Sequence, residues 1–225
     1  MTISGAGTLT LNGKSSKLWF QNATSANCGS TMYDNRGNDT YKNIAYTTKK
    51  IGSLCWMTRN LDLPGGTTLT SSDSNVTSNY TLPASSISGF SSNSTAYVYN
   101  SSSTYNDTSC GNNNPCYSYY SFVAAAAGSN PSSGTVSTDI CPKGWRLPTN
   151  SEMSGITSSV SSFSPVYSGS YYNATLYGGG SGGYWWSSTV YNASNAYLLV
   201  YYNGSLRTSN DYKFSGNSIR CVAKS

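Results

Sequence analysis

The 225-residue chain contains no histidine and only 8 Asp and Glu against 13 Lys and Arg. Without histidine there is no Ser-His-Asp triad, no Cys-His pair and no histidine-ligated zinc. The acidic residues are scattered, and only Asp34 and Asp39 stand close together in sequence, so no acid/base dyad is signalled. Charged residues make up 9% of the chain, well below the roughly 25% of an ordinary soluble domain. The net charge of +5 is mild, and Lys49-Lys50 is the only adjacent basic pair. No basic stripe of the kind that tracks a phosphate backbone is present, so nucleic acid is not an expected partner. No run approaches 18 apolar residues, and no membrane insertion within the chain is expected. Residues 1–11 lack the basic start and apolar core of a signal peptide, and the expectation is an excised ectodomain or virion protein with an added Met1, the alternative being a cytosolic protein with free thiols.

What is abundant is Ser, Thr, Asn, Gly and Tyr. Aromatics reach 13%, and 20 of them are Tyr. Disordered chains are poor in aromatics, so this composition predicts a folded protein despite its polarity. The 6 cysteines are irregularly spaced with no Cys-x-x-Cys, which argues against thiolate zinc. An even count fits disulfides and an oxidising compartment: extracellular, cell surface or virion. Six cysteines allow about fifteen pairings. Cys110 and Cys116 enclose a short loop and are expected to pair locally.

Residues 1–30 read as an N-terminal extension with short strands at Thr8–Gly13 and Lys17–Phe20. Asp34-Asn35-Arg36-Gly37 is turn chemistry. Tyr41–Tyr46 and Ile51–Met57 read as strands, and Pro64-Gly65-Gly66 as a break. Residues 67–118 read as a polar loop insertion. Tyr119–Gly128 predicts a helix stopped by Gly128. Thr149-Asn150-Ser151-Glu152 has the spacing of a capping box, and Met153, Ile156, Val160 and Phe163 then recur on one helical face. Asn195–Tyr202 predicts a strand, Asn203-Gly204 a tight turn, and Ser218–Ala223 a last strand. The run Gly178–Gly183 lacks the Lys-Ser/Thr of a phosphate-binding loop and reads as a connection.

Four blocks carry a family likeness: 41–63 (YKNIAYTTKKIGSLCWMTRNLDL), 117–128 (YSYYSFVAAAAG), 141–153 (CPKGWRLPTNSEM) and the spaced elements GGYWWSSTV, NAYLLVYYNG and SIRCV between 182 and 222. In order and spacing they resemble the Fibrobacter succinogenes major paralogous domain. The resemblance implies an α+β, C-type lectin-like fold of the formylglycine-generating-enzyme type, with two helices on small antiparallel sheets, many loops and disulfide links. It places this domain at 31–225 with the polar insertion inside it. It also implies a Cys141–Cys221 pair, which leaves Cys28 with Cys55. Trp56, Trp145 and Trp186 fall at framework positions, and Arg146 and Arg220 within framework motifs, where backbone carbonyls are their expected partners.

Proteins of this kind also serve as variable proteins of diversity-generating retroelements, in which adenine-directed mutagenesis varies codons before a closing strand. By this resemblance residues 184–217 are the candidate variable region, and the chain is a non-enzymatic display protein that grips an unknown protein or cell-surface ligand, as a monomer. Strand parity then places Leu199 and Tyr201 inward and Leu198, Val200 and Tyr202 outward. The candidate ligand-binding residues are Tyr184, Trp185, Val190, Tyr191, Asn192, Leu198, Val200, Tyr202, Asn203, Leu206, Asp211, Tyr212 and Phe214. A templated Asn codon mutated at its adenines reaches the types of all eleven from Val190 to Phe214 but not Trp, and Trp185 is expected at the edge of the site. Half of the 20 tyrosines fall between Tyr167 and Tyr212, and tyrosine with Ser, Gly and Asn is the composition of an adaptable binding surface.

Three other readings compete: a fixed surface adhesin, a formylglycine-generating-type enzyme, and a calcium-dependent sugar lectin. The enzyme needs a reactive cysteine pair. The lectin needs Glu-Pro-Asn, Gln-Pro-Asp or Trp-Asn-Asp, and all three are absent. No catalytic residue, cofactor or metal site is assigned, apart from a structural calcium that backbone and Asn oxygens could hold.

Overall fold

A computed structural model describes residues 9–11, 14–84, 86–91, 95–100 and 118–223. The elements that position the site are β1 (Thr48–Ile51), β2 (Leu54–Met57), α1 (Phe122–Ala125), β3 (Gly134–Thr135), β4 (Trp145–Arg146), α2 (Asn150–Ser154), α3 (Val160–Phe163), β5 (Ser170–Tyr172), β6 (Thr175–Tyr177), β7 (Gly182–Val190), β8 (Asn195–Tyr202), β9 (Ser205–Tyr212) and β10 (Val222–Ala223). One four-stranded sheet runs β4-β10-β2-β1, and a second runs β3-β7-β8-β9; every named pair is antiparallel. Small antiparallel sheets, short helices and disulfides make this an α+β chain.

The long hairpin β8–β9 follows from its turn. Asn203 and Gly204 sit at φ of 49° and 79°, the double positive that a two-residue turn needs to match strand twist. Pairing then runs unbroken from Tyr202 with Ser205 to Asn195 with Tyr212. The central strands β7 and β8 carry bulky side chains on both faces. Trp185 and Leu199 meet Trp56, Met153, Ile156 and Phe163 on one side. Trp186 and Leu198 join Phe122, Trp145 and Phe20 on the other. Each fully buried leucine contributes roughly 1.5–3 kcal/mol, so both faces stabilise the sheet.

This double cover corrects the parity expectation. Leu198 and Val200 are 1% and 5% exposed, and only Tyr202, at 42%, stands out to solvent. The opposite edge is not bare either: Leu199 is fully buried and Tyr201 half-buried. Alternation assigns one wet face to a strand, whereas a strand between two packed layers has none. Trp185 and Val190, expected at the surface, are buried for the same reason, and Leu206 is buried on the one covered face of β9.

Two disulfides, Cys28–Cys55 and Cys141–Cys221, bind the first sheet to its surroundings, the pairing implied by the resemblance. Cys110 and Cys116 lie outside the described residues. The Thr149–Glu152 capping box forms: the Thr149 hydroxyl accepts from the Glu152 amide, and the Glu152 carboxylate accepts from the Thr149 amide at 2.8 Å. The helix it opens stops at Ser154, and the expected apolar face continues on the separate α3. Met153, Ile156 and Phe163 are buried as that face predicts. The 119–128 helix is shorter than expected, because Ser118–Tyr120 is a strand and Ser121 caps α1. Residues 41–46 begin as a helical turn, Asp39–Lys42, before a two-residue strand.

The described part of 67–118 is packed, not loose. Leu69, Val76, Leu82, Phe90 and Val98 are buried. A buried ion pair, Arg36–Asp34 at 2.6 Å, anchors the segment: the Arg36 guanidinium also donates to Ser74 Oγ (2.7 Å) and the Ile140 carbonyl (2.8 Å). Arg220 is also a buried cation. It donates to Asn60 Oδ1 (2.9 Å) and to the carbonyls of Phe163 and Ser164, and lies over the Phe163 ring at 4.4 Å. Arg146 donates to the Leu147 carbonyl (3.1 Å) and holds Glu152 with both terminal nitrogens.

Candidate functional site

Toward the β8–β9 turn, β7, β8 and β9 present one face to an open cleft of about 550 Å³. Strand register puts its floor together. Tyr184 lies opposite Val200, Val200 opposite Arg207, and Leu198 opposite Ser209. These residues and Tyr202 share one face of the sheet by the two-residue period of strands. Asn210 and Asp211 close the far end along β9.

The facing wall is the hairpin β5–β6, which gives Ser170, Tyr172 and Tyr177. Its turn, Asn173-Ala174, again holds two positive φ angles, 47° and 57°. Alternation splits the tyrosines here. Tyr171 turns inward to stack on Phe90 at 6.0 Å, while Tyr172 turns out toward Tyr212 (5.8 Å) and Phe214 (5.6 Å). Tyr212 and Phe214 stack on each other at 5.1 Å, forming an aromatic rim.

The cleft is therefore aliphatic at the base, phenolic on the walls and charged along β9. Burial pushes the Tyr184 phenol above its ordinary value, so it stays a neutral donor. Burial also raises the Asp211 carboxyl, although the Asn217 amide (3.2 Å) and the Tyr212 N–H (2.8 Å) both donate to it.

Of the residues expected to bind ligand, the cleft gathers Tyr184, Leu198, Val200, Tyr202 and Asp211. Leu198 and Val200 contribute as a nearly buried floor, not as protruding contacts. Trp185 is fully buried, with its indole N–H donating to Asn60 Oδ1 at 2.7 Å. Val190 and Leu206 pack into the two cores. Tyr191 and Asn192 lie at the other end of β7, where the Asn192 side chain accepts from the Ser194 and Asn195 amides and shapes the turn. Asn203 is committed to the hairpin turn, leaving Tyr212 and Phe214 on the rim.

Sequence reasoning missed Ser170, Tyr172, Tyr177, Arg207, Ser209 and Asn210. The signal for the wall was Asn173 between two tyrosine-bearing triplets. For β9 there was little signal, since Leu206 is its one aliphatic residue. Among the described residues no three Asp, Glu, His or Cys side chains come together as a metal site. The four described cysteines are all in disulfides.

No curated protein and no solved structure matches the chain. Residues 50–162, just over half of the 225, match the family described as the Fibrobacter succinogenes major domain. That stretch holds β2, the capping box and Trp145, and it ends before the cleft-forming strands begin. By that match the chain belongs to the Fibrobacter succinogenes major domain family.

Proposed function

We propose that this chain is a non-enzymatic binding protein. Its C-terminal hairpins hold a tyrosine-walled cleft out to a macromolecular target, a protein on a host or neighbouring cell. The observation that carries this is the division of labour on β7–β9. One set of side chains, Trp185, Trp186, Leu199 and Leu206, is buried frame, while Tyr202, Arg207, Ser209 and Asn210 are exposed and line the cleft. Tyrosine covers much area with few rotatable bonds, and Ser and Asn supply adaptable hydrogen bonds, so such a surface binds without chemistry. A C-type lectin-like frame and the two disulfides suit display outside the cell.

In the same reading a retroelement diversifies the exposed positions. The DNA beside the gene tests this. The expected finding is a template copy that matches codons 184–222 except at adenines, with altered codons at Tyr202, Ser209 or Asn210 and none at Trp185 or Leu199. If neither a template nor an adjacent reverse transcriptase is found, diversification is refuted and the chain is a fixed adhesin. The burial of Leu198 and Val200 favours this second reading, because two positions in the middle of the segment serve the core.

A further inference from the structure

The second sheet ends differently on its two sides. One edge is the two-residue strand β3, and the other is the eight-residue β9, which among the described residues pairs only with β8. A long free edge invites another strand, and proteins usually blunt it with proline, lysine or a bulge. β9 reads SLRTSNDY, without proline or lysine, and its register with β8 is unbroken.

Hairpin geometry says which backbone groups are free. Tyr202 and Ser205 flank a two-residue turn and form a hydrogen-bonded pair, so Ser205, Arg207, Ser209 and Asp211 turn their backbone groups toward β8. Leu206, Thr208 and Asn210 turn theirs outward, and among the described residues these have no backbone partner.

We propose that β9 pairs with β9 of a second copy, antiparallel about a two-fold axis at Ser209, joining two four-stranded sheets into one. Charge selects the occupant and the register. Centring on Ser209 sets Arg207 opposite Asp211 of the second copy, and Asp211 opposite its Arg207. Both pairs fall at non-hydrogen-bonded positions, where side chains approach most closely. Centring on Arg207 or Asp211 sets like charges together. Centring on Thr208 leaves Arg207 facing serine, and centring on Asn210 sets it against Lys213. In the Ser209 register Leu206 faces Tyr212, and the outward groups of Thr208 and Asn210 bond each other across the axis. The two clefts then lie side by side on one face, doubling the binding surface. This departs from the monomer expected from the sequence.

Strand pairing alone buries less than a standard interface, so the dimer is weak, with a dissociation constant on the order of 10–100 µM. Sedimentation equilibrium from about 5 µM to about 1 mM tests it. The expected result is a monomer–dimer equilibrium, weakened on the order of tenfold or more by Arg207→Asp, which turns two attractions into repulsions. Thr208→Pro removes one outward donor, leaves the bonds to β8 in place, and is expected to abolish dimerisation. Mixing Arg207→Asp chains with Asp211→Arg chains restores the pairing in trans. Should Asp211→Arg fail to melt cooperatively, Thr208→Pro decides. A wild-type chain monomeric at about 1 mM, or a dimer indifferent to both Arg207→Asp and Thr208→Pro, overturns the proposal.

Discussion

Asp62 should make the folded chain more stable in mild acid than at neutral pH. Its side chain is almost wholly buried, and among the described residues the Ser118 hydroxyl donates to its Oδ1. Burial drives the carboxyl up from 3.8 to about 6, with only partial relief from Ser118 and from the charge of Arg59. A folded pKa above the unfolded one means that the folded state binds the extra proton. The stability it contributes is complete below about 3.8 and disappears as pH rises through about 6. The shift of 6 − 3.8, about 2 units, corresponds to about 3 kcal/mol at 1.36 kcal/mol per unit. In a chain of this size that is about 6–12 °C in Tm. Asp62→Asn removes the titration, although its new amide needs acceptors and costs some stability at every pH. The diagnostic quantity is therefore the difference between the two Tm curves. From pH 4, where part of the contribution is already lost, to pH 7 the wild type should fall by about 5–10 °C relative to the variant. Taking the difference also cancels groups that titrate elsewhere, including Asp73 and Glu152, whose lowered carboxyls act in the opposite sense. Parallel curves across that range would refute the placement of an uncompensated carboxylate at this site.

The disulfides should rank by the loops they close. Separations of 80 and 27 residues give about 4.5 kcal/mol for Cys141–Cys221 and about 3.5 kcal/mol for Cys28–Cys55 in the chain-entropy model, so Cys221→Ser should lower the non-reducing Tm by a few degrees more than Cys28→Ser. Equal losses, or the reverse order, would show that the Cys141 loop is already closed by packing. Gly183→Ala should cost about 1–3 kcal/mol in urea unfolding, because its Cβ would stand 2.2 Å from the Trp185 ring and 2.4 Å from the Val166 carbonyl. A change below about 0.5 kcal/mol would mean that Trp185 is free to move, contrary to its bond with Asn60.

Local chemistry was the legible part of the fold. Thr149 and Glu152 satisfy each other's backbone partners within one turn, and Asn203-Gly204 adopts positive φ, because both depend on residues a few positions apart. The cysteine pairing came through resemblance, since residue spacing alone leaves many pairings open. Burial was harder to read. NAYLLVYY looks like an alternating strand, but its centre is the uninterrupted apolar run Leu198-Leu199-Val200, the mark of a strand covered on both faces. Reading the pattern by parity alone exposed two residues that the α1 side of the core covers. The polar segment 67–118 reads as loop by composition, and its described part is nonetheless packed. A few well-spaced apolar residues, Leu69, Leu82 and Val98, suffice to seat it once the Arg36–Asp34 pair fixes its entry.

The cleft was least legible because it belongs to no single segment. Its walls come from two hairpins that meet only after β7 has packed against the core, and a polar strand such as β9 carries no hydrophobic pattern to announce itself. The family match stops at residue 162, before all of these elements. Frame and cleft are interleaved along β7 and β8 and separate on β9. Trp185 and Leu199 face the α2–α3 layer and Leu198 faces α1, which fixes β7–β8 on both sides, while β9 adds its exposed face with little cost to the core. Substitutions at Arg207, Ser209 or Asn210 touch neither cluster, so the cleft's exposed face can change while the frame stays intact. That separation is the physical condition a variable display protein has to meet, and it holds for β9 even though it fails for Leu198 and Val200.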